Sequence, residues 1–299
     1  MEPSPVYQEI EAALADGRGL LVGRFGTVEL EVLLGDLSSQ KRQVLERNAG
    51  IFPSDLESVE RWMVASQVAY KAADVLATGW YPPLAAQEKE LLRDWGWNGI
   101  QVPLRALEPY YWNAEARWTR LLAGRRVCVV TSFATTAAAQ IAKGEERVWK
   151  SASAGADGSL WAPGVEWSWV QTGYPPSVAL GRAGWDGLES WEEAVGQVVR
   201  EVVATESEVV IVGCGGLGML IGAALRSSGK VVIVMGGATQ VLFGICGARW
   251  GTHPVIRSFW NSEWVWPSAS ETPAGAGKIE GGCYWKGVDG AQRGASAGV

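Results

Sequence analysis

The feature that most constrains the fold lies at residues 208–250, EVVIVGCGGLGMLIGAALRSSGKVVIVMGGATQVLFGICGARW. Two apolar, β-branched runs, 209–212 and 231–235, each end directly in glycines. Short runs of that kind read as strands buried on both faces, as in a parallel sheet. One short amphipathic helical segment separates them, and a single crossover helix joins parallel strands. The spacing therefore predicts a βαβα unit with the two strands as neighbours and both glycine turns at the carboxyl edge of one sheet. Glycine there lets a ligand approach backbone N–H groups at a helix N-terminus.

The first turn carries Gly213, Gly215, Gly216 and Gly218; the second carries Gly236 and Gly237, followed by Thr239 and Gln240. Gly213-x-Gly215-x-x-Gly218 fits the G-x-G-x-x-G fingerprint in its strand-to-helix setting. A dinucleotide site also wants an acid at the end of the second strand for a ribose hydroxyl. That place reads Met235-Gly236-Gly237, which weighs against an NAD(P) oxidoreductase and equally against an adenosyl-methionine methyltransferase. The turns suit a diphosphate; glycines that serve only helix-on-sheet packing are the competing reading.

Nearer the start, a short buried strand at 20–22 runs into Gly23-Arg24-Phe25-Gly26-Thr27-Val28-Glu29. An arginine bracketed by glycines at a strand end, with a carboxylate three residues after the second glycine, puts Arg24 and Gly26 at the carboxyl edge. Glu29 then falls in the first turn of the next helix. If this strand joins the same sheet in the same direction, Arg24 and Glu29 face the same cavity as the glycine turns. The bland alternative is an Arg–Glu pair closing off a helix start, where a carboxylate complements the helix dipole.

Helices are expected at 5–15, 29–37, 55–76, 85–94, 135–142 and 188–204, and further strands at 125–133 and 166–172. Glu108 stands beside Tyr110, Tyr111 and Trp112, either as a sugar-site wall or as a half-buried loop. The alternation predicts an α/β, Rossmann-like fold, a mostly parallel sheet flanked by helices. It divides into a helix-rich part at 1–120, an α/β part at 121–285 and a flexible tail at 286–299, in one compact unit.

A hydrophobic content of 47%, a charged content of 19% and a mean hydropathy of +0.03 describe a folded chain and not a disordered one. No apolar run approaches the ~20 residues that cross a bilayer. The opening residues lack the basic-then-apolar pattern of a secretory signal, so the cytoplasm is the expected compartment. The net charge is −6 and no basic run is longer than Arg125-Arg126, which excludes an electrostatic footprint for nucleic acid. The four cysteines are widely spaced and His253 is the only histidine, so zinc and redox motifs are absent. Seventeen tryptophans suit the faces of sugar rings.

Several stretches carry a family resemblance: GGATQVLFGICGARW, FWNSEWVWPSASETP and KIEGGCYW, with GRFGTVELEVL, EPYYW and RRVCVVTSF. Together they resemble the signature of glycosyltransferase-like proteins with the GT-D type of fold, over roughly residues 20–285. In that family the Arg-Phe-Gly turn is followed by Asp-x-Glu, whose acids hold a divalent metal and the diphosphate of a sugar nucleotide. The matching positions here are Thr27, Val28 and Glu29, so the glutamate alone remains. The resemblance implies a nucleotide-sugar donor, an unknown acceptor, and Glu29 as a ligand for Mn or Mg. On the residues themselves, Arg24 and Arg249 suit the charge of a diphosphate. Glu29, Glu263 and Glu280 are the carboxylates in motif-like surroundings that qualify as acid or base. A protein of the same fold that binds nucleotide or sugar without catalysis is the alternative.

Overall fold

The computed structural model describes residues 4–149 and 160–287. Seven strands form one sheet: β1 (Leu20–Arg24), β2 (Val75–Ala77), β3 (Ile100–Val102), β4 (Arg126–Thr131), β5 (Glu166–Gln171), β6 (Val209–Gly213) and β7 (Val231–Val234). Their order is β3-β2-β1-β7-β6-β4-β5, and every neighbouring pair is parallel. β6 and β7 pair from Val209 opposite Val231 to Val212 opposite Val234, as their sequences predict. β1 flanks β7 on the other side, with Leu20 opposite Val231. The N-terminal part thus supplies a central strand and, through β2 and β3, one margin of the sheet.

Helices α1 (Pro5–Asp16), α2 (Thr27–Leu33), α3 (Ser39–Ala49), α4 (Leu56–Lys71) and α5 (Ala85–Asp94) precede β4. The rest are α6 (Ala134–Ala142), α7 (Glu145–Trp149), α8 (Pro176–Ala179), α9 (Trp191–Ala204), α10 (Gly218–Ser227), α11 (Thr239–Leu242) and α12 (Ile256–Phe259). The helix expected over 55–76 stops at Lys71, because the chain turns there into β2. Asp74 secures that turn: its carboxylate accepts from the Leu21 N–H at 2.8 Å and from two Arg226 nitrogens at 2.7 Å each. The bidentate pair ties α10 to the amino edge of the sheet. Of the tail expected at 286–299, residues 288–299 lie outside the described residues.

Strand residues alternate between two cores, as a period of two requires. Leu21, Val210 and Val232 face one core with α2, α4, α9 and α10; Val22, Ile211 and Ile233 face the other with α1, α6 and α11. Part of the tryptophan excess goes into these cores: Trp62, Trp118 and Trp161 are almost wholly buried. The chain leaves β6 for α10 on one face, leaves β7 for α11 on the opposite face, and leaves β1 for α2 on the α10 face. Connections that diverge in this way open a crevice at the carboxyl edge, centred on β7.

Candidate functional site

Arg24 ends β1 at that crevice and is half-buried. Its Nη1 donates to the Phe25 carbonyl at 3.0 Å and its Nε to the Met235 carbonyl at 3.4 Å. The Trp80 ring lies 5.0 Å from the guanidinium carbon. Gly236 has φ +61°, and a Cβ on it would stand 2.6 Å from Arg24 Nη2. Glycine is required there twice, by the left-handed backbone and by the arginine above it. Among the described residues, Arg24 forms no ion pair with a carboxylate.

Arg249 approaches the neighbouring glycine. A Cβ on Gly237 would meet Tyr284 Cε1 at 3.0 Å and Arg249 Nη1 at 3.2 Å. The Arg249 guanidinium lies 4.1 Å from the Tyr284 ring centroid, contacts Cys283 Sγ through Nε at 3.1 Å, and is ion-paired with Glu280. Glu280 sits at φ +46°, a conformation that costs a non-glycine residue about 1–2 kcal/mol. Its N–H donates to Asn48 Oδ1 at 3.2 Å, and its carboxylate accepts from the Tyr284 hydroxyl at 3.4 Å. These contacts hold the residue in its strained conformation.

Glu29, in the first turn of α2, folds its carboxylate back over Gly26. Among the described residues it is not ion-paired with Arg24, so the alternative of a closed Arg–Glu pair at the helix start is not what forms. Burial raises the Glu29 pKa; its own backbone N–H and the Arg24 charge pull it back, and the Glu280 charge adds to the rise. Burial likewise lifts the Tyr284 phenol well above its ordinary range and the Cys283 thiol to about 12. The crevice therefore holds a carboxylate with strengthened basicity, two guanidinium groups and protonated neighbours.

At the β6 turn, expected as part of a phosphate cradle, the glycine Cα positions face protein neighbours. A Cβ on Gly213 would meet Thr239 Oγ1 at 2.5 Å, on Gly215 the Ala49 carbonyl oxygen at 2.7 Å, on Gly216 Ile51 Cδ1 at 3.1 Å, and on Gly218 Val234 Cγ1 at 2.8 Å. The Gly216 carbonyl also accepts from Trp62 Nε1 at 3.2 Å. These glycines let the end of α3 and the side chains of β7 and α11 pack closely. Thr239 and Gln240 are buried beneath the crevice; Gln240 Nε2 donates to the carbonyls of Cys246 at 2.7 Å and Tyr284 at 3.0 Å. Gln240 thus anchors the segment that presents Tyr284.

Glu263 does not join the group. Its backbone is held by Gln140 and Asn261, at 2.9 and 2.8 Å, and the adjacent Trp264 packs on Trp149. Glu108 is buried and accepts from Tyr110 at 2.8 Å, and Tyr110 stacks on Trp149 in the core. His253 Nδ1 accepts from the Ile256 N–H at 3.2 Å, at the start of α12. Sequence reasoning did not single out Tyr284, Trp80 or Tyr70. The Tyr70 hydroxyl donates to the Arg24 carbonyl at 3.3 Å and its ring stacks on Phe25 at 3.9 Å. The paired glycines of KIEGGCYW were the available signal for Tyr284.

A divalent metal needs several converging donors. Among the described residues, no group of three or more His, Cys, Asp or Glu side chains gathers anywhere. Two carboxylates act on Glu29 through their charge, and both are committed elsewhere, Glu280 to Arg249 and Glu31 to Lys41. This donor set does not fit a divalent cation.

No family model matches the chain, and no curated protein matches it. One similar solved structure is described by the words "The highly conserved domain of unknown function 1792 has a distinct glycosyltransferase fold". It shares 11% identity over 78% of this chain and 77% of that chain, with a TM-score of 0.36. At that score the likeness is a loose one of overall layout.

Proposed function

We propose that the protein binds a nucleoside-diphosphate sugar in the crevice between β1 and β7 and transfers the sugar to a hydroxyl acceptor. The observation that carries this reading is Arg24. Its guanidinium is fixed by two backbone carbonyls, free of any described carboxylate, and set over a glycine at the carboxyl edge of a parallel sheet. A preorganised guanidinium without a direct ion-pair partner in that place suits a phosphate oxygen, and Arg249 lies across the same turn. The half-buried rings of Trp80, Trp250 and Tyr284 offer faces for a base or a sugar.

In a single displacement, Glu29 accepts the proton of the acceptor hydroxyl as that oxygen bonds to the anomeric carbon. The bond from the anomeric carbon to the phosphate oxygen breaks, and the electron pair leaves with the diphosphate. Arg24 and Arg249 stabilise the charge that develops there. A carboxylate whose pKa is raised by burial is better matched to this proton transfer than an exposed one.

Isothermal titration with UDP, GDP, ADP and CDP, their glucose conjugates, NAD(P) and adenosyl-methionine tests the reading. At least one nucleoside diphosphate should bind, and Arg24→Gln should weaken it about 100-fold, the loss of a charge-assisted pair. Binding of NAD(P) alone, or an unchanged affinity in Arg24→Gln, would overturn it. Binding without sugar release would leave a binding protein of the same fold.

A further inference from the structure

Next to Trp250 stands a group of side chains that the transfer step does not use. The chain leaves β3 at its carboxyl end, the sheet edge that also carries Arg24, and runs directly into Arg105. Trp112 Nε1 donates to the Arg105 carbonyl at 2.8 Å, which fixes the backbone there. The Arg105 guanidinium lies 4.9 Å from the centroid of the Tyr111 ring, a cation–π contact. Arg105 is exposed, and among the described residues its guanidinium has neither an ion-pair partner nor a hydrogen-bond acceptor. Glu108, whose charge reaches both Arg105 and Tyr111, is buried and accepts from the Tyr110 hydroxyl at 2.8 Å.

His253 completes the group. Its Nδ1 accepts from the Ile256 N–H, so the neutral ring carries its hydrogen on Nε2, which lies 3.5 Å from the Tyr111 hydroxyl. The phenol oxygen therefore faces a donor, and its own O–H has no acceptor among the described residues. Burial and the Arg105 charge lower the His253 pKa, and burial pushes the Tyr111 phenol up to about 12. Near neutral pH the group thus offers a guanidinium and a phenol O–H, both donors, which suits an anion. The His253 ring lies 5.9 Å from the Trp250 ring, and the Arg249 guanidinium 5.5 Å from the same ring. This group and the crevice arginine therefore share one tryptophan.

We infer that Arg105 and Tyr111 bind an oxyanion, a phosphate or a carboxylate, carried by the acceptor. The oxyanion recognition rests on these side chains alone; its assignment to the acceptor rests on the transfer reading proposed above. Within that reading Arg24 and Arg249 take the charge of the donor, and the acceptor's charge needs a cation of its own. Arg105 supplies it with the planar fork that matches either oxyanion.

His253 is the only histidine, so in the untagged protein its imidazole Cε1–H gives a single NMR resonance beside the site. Glucose 6-phosphate, glucuronate and uncharged glucose are each added without nucleotide, at constant pH and ionic strength. At least one of the two anionic sugars should shift that resonance saturably, and glucose should not. Arg105→Gln should weaken the binding about 10-fold, and Tyr111→Phe, which removes only the donor, about 3-fold. Arg105 is exposed, so Arg105→Gln should keep the parent's melting temperature. No saturable shift with either anionic sugar, an equal response to glucose, or unchanged affinity in Arg105→Gln would overturn the inference. So would affinity lost in Arg24→Gln and kept in Arg105→Gln, since the anion would then occupy the diphosphate crevice. Anionic sugar bound through Arg105 in a protein that binds no nucleoside diphosphate would support the oxyanion site and count against the transfer reading, so the two fail separately.

Discussion

Two glycine turns leave adjacent strands of the same sheet, and they do opposite things. At the β6 turn, Gly215 and Gly216 meet the end of α3, and Gly213 and Gly218 meet side chains of α11 and β7. At the β7 turn, Gly236 and Gly237 meet the guanidinium groups of Arg24 and Arg249 and the phenol of Tyr284. Both turns need close approach, and glycine supplies it in each. What approaches is uncharged side chain and backbone in one case and two guanidinium groups with a phenol in the other. The fingerprint pattern therefore marks where a Cβ is forbidden and leaves open what forbids it. The β6 turn packs against its neighbours, while the β7 edge holds a strained Glu280 and a partly buried Glu29 at some cost.

The largest effect that would break this contrast lies at Glu29. Glu29→Gln keeps shape and removes the base, so sugar transfer should fall about 100-fold or more while nucleoside-diphosphate affinity changes little. An assay of sugar release from the donor in the presence of acceptor reads both. Turnover unchanged in Glu29→Gln would move the chemistry away from the β1–β7 edge.

The same small substitution at the two turns sharpens the comparison further. Gly215→Ala places a side chain at φ +57° and against the Ala49 carbonyl oxygen. It should cost about 2–3 kcal/mol from strain and overpacking combined, a drop of roughly 5–10 °C in melting temperature, with diphosphate affinity intact in the folded fraction. Gly237→Ala touches only side chains that can shift, so its stability cost should stay below about 1 kcal/mol. It should nevertheless weaken diphosphate binding about 10-fold by displacing Arg249. Calorimetry and titration on both variants would expose an inverted pattern, which would return the β6 turn to the role of cradle.

The sheet was legible where strands are long and β-branched: β4, β5, β6, β7 and the start of β1 read directly from their runs. β2 and β3 have three residues each, too few to show a period, and β2 was absorbed into the helix before it. In the site, Arg24, Glu29, Gly236 and Gly237 were identifiable because strand ends share one edge. Glu280 and Arg249 stood out by motif, and their pairing with each other came only from the fold. Glu263 stood in equally motif-like surroundings yet is held by Gln140 on α6, since motif density carries no information about direction in an irregular segment. Arg105 was invisible: it follows a strand of three residues in an irregular segment, and only the fold brings Tyr111 and His253 to it.

The smallest expected effect concerns stability and pH at the β7 edge. Burial holds the Glu29 pKa above its ordinary value of 4.5. Between that value and the raised one, the folded protein binds more of this proton than the unfolded chain does, so stability falls as pH rises through the window and is level above it. Glutamine does not titrate. Glu29→Gln should therefore match the parent in melting temperature near pH 4 and exceed it at pH 7, by on the order of 1–2 °C. A loss of stability at pH 7, absent at pH 4, would show that the ionised carboxylate is held by Arg24 as scaffold. Gain of stability together with loss of turnover is the signature of a group kept in place for its chemistry, and the β6 glycines should show the reverse of it.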